Sequence, residues 1–158
     1  MKKEKIKEFS FRISQANPTE LVVISYDIVL EDIAEAKEAA EAGDFGEYER
    51  LLKHSLKIMN EIMGSLDFSQ RLSYDLLSLY KFVNSEIIGA MMRKDVSRLA
   101  GAVDTLKGLR TAFYEISKLD ETGSVMKNVP TTAAGATYGR NAMDDVCLNV
   151  SSTRGFMA

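Results

Sequence analysis

Asn17-Pro18-Thr19-Glu20-Leu21-Val22-Val23-Ile24-Ser25-Tyr26-Asp27-Ile28-Val29-Leu30 decides the fold class. Asn17 is an N-cap residue, Pro18 suits the first helical position, and Glu20 completes a capping box. That punctuation commits the chain to helix from about Pro18. Eight of the ten residues from Leu21 to Leu30 are apolar. A surface helix shows one apolar stripe with polar residues opposite, so this helix carries more apolar surface than one bundle core uses.

The same grammar continues along the chain. The first long helix runs to Ala42 and stops at Gly43. Asp44 and Glu47 repeat the cap, and a second helix reaches about Gly64. A third begins near Ser69 or Arg71 and ends near Arg93. Asp95 caps a fourth, from Val96 to about Lys118. Short connections make successive helices antiparallel neighbours. Ile6, Phe9 and Ile13 at helical spacing suggest a short helix before Asn17. The prediction is all-α: an antiparallel four-helix bundle over residues 1–119, with a short N-terminal helix. Residues 120–158 are rich in Gly, Thr, Ser, Ala and Asn and lack a sustained period. They read as a mostly irregular, flexible tail. Within it, Ala142, Met143, Val146 and Val150 sketch a short amphipathic turn or two.

Placing residues on a helical wheel separates two stripes on two of the helices. On the first long helix, Val22, Tyr26, Val29, Ile33, Ala36 and Ala40 form the expected core face; Leu21, Ile24 and Ile28 lie on another. On the third, Leu72, Leu76, Leu79, Val83, Ile87 and Ala90 form the expected core face; Leu77, Ile88 and Met92 lie elsewhere. The other two helices show one broad face each. Contiguous apolar patches mark interaction sites, so Leu21, Ile24, Ile28, Leu77, Ile88 and Met92 are the candidate partner-binding residues. The alternative is that the extra stripes are ordinary core, covered by the N-terminal segment. If a partner helix fills such a groove, each buried Leu or Ile contributes roughly 1.5–3 kcal/mol before ordering costs.

Composition narrows the function classes. The chain has 158 residues, a net charge of −3 and a pI of about 5.3. No long-range field draws it to nucleic acid or anionic lipid. The basic start Met1-Lys2-Lys3-Glu4-Lys5 lacks the apolar run of a signal peptide. No stretch approaches the roughly 18 apolar residues of a membrane span. With Cys147 as the single cysteine, these features predict a cytoplasmic protein without stable membrane insertion. No catalytic, cofactor-binding or metal-binding constellation is visible. Leu51 stands three residues before His54, the lone histidine, so the Glu-x-x-His element of bundle metal sites is missing. Gly135-Ala136-Thr137-Tyr138-Gly139 lacks the Lys-Ser/Thr pair of a phosphate loop. The sequence therefore predicts a protein that is not an enzyme and needs no cofactor.

Five short motifs in order resemble the FliS family, the bacterial flagellar export chaperones that bind flagellin. They are Asn17-Pro18-Thr19-Glu20-Leu21 leading to Ser25-Tyr26-Asp27, then Ser65-Leu66-Asp67-Phe68, Leu79-Tyr80-Lys81-Phe82, Ala90 to Val96, and Leu106 to Phe113. Departures include Ser25 for a usual Leu, Ile28 for a usual Gly, and Ser85-Glu86 where paired arginines are common, the pattern of a divergent paralogue. The resemblance implies a cytosolic chaperone that holds the disordered C-terminal segment of flagellin in apolar grooves and prevents polymerisation before type III export. Helix-in-groove recognition agrees with the surplus stripes, and Met91 and Met92 would let such a groove adapt. Two other readings use the same stripes: a structural homo-oligomer, in which they pair with a second copy, and an adaptor with a client other than flagellin. A further expectation is that the N-terminal segment, with Phe9 and Phe11, or the 142–150 stretch occupies the empty groove.

Overall fold

A computed structural model describes residues 3–126. Five helices follow in order: α1 (Lys3–Gln15), α2 (Pro18–Glu41), α3 (Phe45–Gly64), α4 (Arg71–Arg93) and, after a 3₁₀ turn at Val96–Arg98, α5 (Leu99–Ser117). The amphipathic stretch expected at 142–150, with Cys147, lies outside the described residues.

The capping chemistry sets the boundaries. Asn17 Oδ1 accepts from the Glu20 amide at 2.7 Å, and the Glu20 carboxylate accepts from the Asn17 amide at 2.9 Å. This reciprocal box satisfies two of the amides that a helix start leaves orphaned. Gly43 turns the chain out of α2 with φ at +78°, a conformation that costs glycine nothing. Asp44 accepts from the Glu47 amide at 3.0 Å and opens α3. Asp95 caps the 3₁₀ turn rather than the α-helix itself, through the Ser97 amide at 3.0 Å, so α5 starts three residues later than the sequence suggested.

The helices α2 to α5 close an antiparallel four-helix ring: α2 packs on α3 and α5, and α4 packs on the same two. The core draws on all four, with Tyr26 and Val29 from α2, Leu52 and Met59 from α3, Val83 and Ile87 from α4, and Leu99 and Leu106 from α5. At its centre the hydroxyls of Tyr26 and Tyr80 hydrogen-bond each other across the bundle. The Tyr26 ring also meets Phe113 edge-on at 5.7 Å.

The core face of α4 differs from the expected one. Leu72 and Leu79 are 60% and 41% exposed, and Tyr80 is buried instead. The true stripe is Ser73, Leu76, Tyr80, Val83, Ile87 and Ala90, an alternation of three and four residues. A tyrosine is tolerated there because Tyr26 supplies its hydroxyl with a partner.

Candidate functional site

The outer stripe of α2 lies outside the bundle core. Ile24 is buried, and Leu21 and Ile28 are half-buried, but they belong to a second apolar cluster with Phe9, Ile13 and Ala16. The cover is therefore α1, not the long helices. Phe9 is 6% exposed and supplies the largest side chain of the seal.

Only Ala16 and Asn17 separate α1 from α2, and α1 folds back antiparallel. Lys5 pairs with Glu31 at 3.4 Å, and Arg12 pairs with Asp27 at 2.6 Å. The earlier residue of α1 thus meets the later one of α2. Asp27 is shared: its other oxygen accepts from Arg110 of α5, and that bond raises the Arg110 pKa. Asp27 thus links α1 to α5.

Grooves flank α1 on both sides. Between α1 and α5 lies a cavity of about 350 Å³, bordered by Phe11, Val23 and Tyr114. Between α1 and α3 lies one of about 490 Å³, bordered by Ile6, Ile28, Asp32, His54 and Ile58. Asp32 is fully buried, and its Oδ2 lies 2.5 Å from His54 Nδ1. Burial raises its pKa, and the His54 bond offsets part of that shift. Its Oδ1 has no hydrogen-bond partner.

A strap ties down the α1–α2 corner. The Asn17 side-chain amide donates to the carbonyls of Ser117 and Asp120, and Thr19 donates to the Asp120 carboxylate at 2.6 Å. The Val125 amide then donates to the Ala16 carbonyl at 3.0 Å. The hydroxyls of Thr122 and Thr19 hold the Asp120 pKa down at about 2. The start of the expected tail is irregular, but it is bonded to the corner.

The α4 candidates sit elsewhere. Leu77 is half-buried, Ile88 is 42% exposed and Met92 is 77% exposed. Ile88 lies one turn beyond Asn84, which donates to Asn60 of α3 at 3.0 Å, so it borders the α3 side. On the α5 side Phe82 lies against Gly101. Because α2 and α4 are diagonal in the ring, their outer faces point in opposite directions. The six candidate residues therefore form two separate surfaces.

The sequence reading missed the ion pairs of Lys5 and Arg12, the buried Asp32 beside His54, and the apolar surface of Leu72, Leu79 and Phe82. The unbroken run of acidic residues on one flank of α2, Asp27, Glu31 and Glu35 at four-residue spacing, was the available signal for the first. Among the described residues, no group of three His, Cys, Asp or Glu is placed to hold a metal ion. No helix among them is long and apolar enough to cross a membrane. A family model described as "Flagellar protein FliS" matches residues 3–120, well over half of the chain. No curated protein matches it.

Proposed function

The chain belongs to the FliS family of flagellar proteins, and from that premise we propose that it is a cytosolic export chaperone for the C-terminal segment of flagellin. The observation that carries this reading is the second apolar cluster. Three large side chains of α2 are turned away from their own bundle and covered by a short helix that two residues join to α2 and two ion pairs hold against it. A helix-in-groove client has the shape of what already lies there.

In this reading α1 is a placeholder. It keeps Ile24 and its neighbours dry while no client is present, and it leaves when a client helix takes its seat. Competition of this kind lowers apparent affinity by the fraction of open molecules. The opposite surface, with Ile88 and Met92, receives a second part of the same client. A segment that touches both surfaces must wrap the bundle, which an unfolded segment does readily. Covering its apolar faces keeps flagellin from polymerising before export. The chemistry is binding alone, with no reaction step.

The test is co-purification with flagellin that retains or lacks its last roughly forty residues, a length set by the area a folding segment must bury. Capture of the full-length form alone supports the assignment. Equal capture of both forms refutes it.

A further inference from the structure

The seat of α1 is apolar along its centre and acidic along its edge. Asp27 and Glu31 line one edge, and Asp32 stands across Ile28 on the edge that faces α3. Asp27 and Glu31 are 13% and 28% exposed, and each is met by a cation of α1. Lys5 and Arg12 stand two helical turns apart, with Phe9 between them and buried. The Arg12 guanidinium also lies 5.6 Å from the centre of the Phe9 ring. The third carboxylate, Asp32, meets His54 of α3 at the groove beside Ile28.

Building on the function proposed above, we infer that this seat selects a basic amphipathic helix, one that carries cations two turns apart on either side of a large apolar side chain. An occupant without those cations would leave Glu31 without the partner that Lys5 supplies, and Asp27 with Arg110 alone, in a partly desolvated groove. Removing one member of a charge pair in such a place costs more than the pair itself is worth in water. An acidic occupant would add repulsion. The apolar stripe then provides affinity, and the carboxylates decide which amphipathic helices are admitted.

The experiment uses the full chain as receptor and three labelled peptides of residues 3–16: the natural sequence, K5Q/R12Q, and K5E/R12E. The tethered α1 competes equally with all three, so ratios of affinity are independent of it. The natural peptide should bind roughly 3- to 30-fold more tightly than K5E/R12E, with K5Q/R12Q between them. Added salt should shrink the ratio. The receptor variant Glu31→Lys should reduce or reverse the advantage that Lys5 gives, with helix content by circular dichroism checking that it folds. Equal binding of the three peptides, a ratio insensitive to salt, or no binding of any peptide overturns the inference. Capture of flagellin by the same receptor is scored in parallel. Flagellin held while the peptides fail to discriminate sinks the charge rule alone; flagellin not held sinks the chaperone assignment separately.

Discussion

Replacing Phe9 with alanine should open the α1 lid without unfolding the bundle. Phe9 is 6% exposed, and its cluster is separate from the main core. Fully burying a phenylalanine is worth about 2–3 kcal/mol. Most of that is lost in Phe9→Ala, because the alanine side chain ends before Ile24. At 1.4 kcal/mol per tenfold, the docked-to-undocked ratio of α1 falls roughly 30- to 150-fold. The assay is limited trypsin digestion under native conditions, scored at Lys5, Lys7 and Arg12. Cleavage there should accelerate by a similar factor while the open fraction is small, since proteolysis tracks the population of the open form. The thermal midpoint of the bundle should move little, because Tyr26, Val29 and Ile33 keep their partners. Client affinity should rise as the closed state is depopulated. Unchanged cleavage together with a midpoint lowered as by a core cavity would refute the reasoning, since Phe9 would then belong to the global fold.

Three other outcomes are expected. Tyr26→Phe should cost about 1–3 kcal/mol by leaving the Tyr80 hydroxyl alone in the core, and adding Tyr80→Phe should recover part of the loss; urea unfolding of the four species in this cycle measures the coupling. Asp32 has a folded-state pKa raised by burial above its ordinary 3.8, so between those two values the native state binds more protons than the unfolded state. Its contribution to stability therefore falls as pH rises through that window, and Asp32→Asn should gain on the natural chain with rising pH in urea titrations; a difference constant with pH would contradict this. The double variant Ile88→Lys with Met92→Lys should change stability by no more than about 1 kcal/mol, because both side chains are exposed, yet weaken flagellin binding at least several-fold in calorimetric titration; an unchanged affinity removes the second surface from the account.

Much of the fold was legible because helix boundaries are local chemistry. The box at Asn17-Pro18-Thr19-Glu20 and the caps at Asp44 and Asp95 satisfy amides two or three residues away. The core face of α4 was less legible. Leu79 outranks Tyr80 in hydrophobicity, and nothing near Tyr80 reveals that Tyr26, 54 residues earlier, completes its hydroxyl. The site was legible in half. The surplus of Leu21, Ile24 and Ile28 follows from helical geometry alone. Their cover was legible only as one of two candidates, the N-terminal segment with Phe9 and Phe11 or the 142–150 stretch, because Ile6, Phe9 and Ile13 make a weak stripe; Phe9 takes that place, whereas Phe11 is 69% exposed. The pairing of Asp27 with Arg12 and with Arg110, 83 residues later, depends on three helices meeting, which no window of sequence reports. The strap from Asp120 to Val125 escaped for the same reason: its bonds reach back about a hundred residues to polar side chains and carbonyls of the α1–α2 corner.

Hydrogen exchange of the full chain, alone and saturated with the C-terminal segment of flagellin, is the most direct measurement. The account predicts that the amides of α1 lose protection on binding while those of α2 to α5 keep or gain it. Binding that leaves α1 as protected as before would mean that Leu21, Ile24 and Ile28 never meet the client, and would contradict the account at its centre.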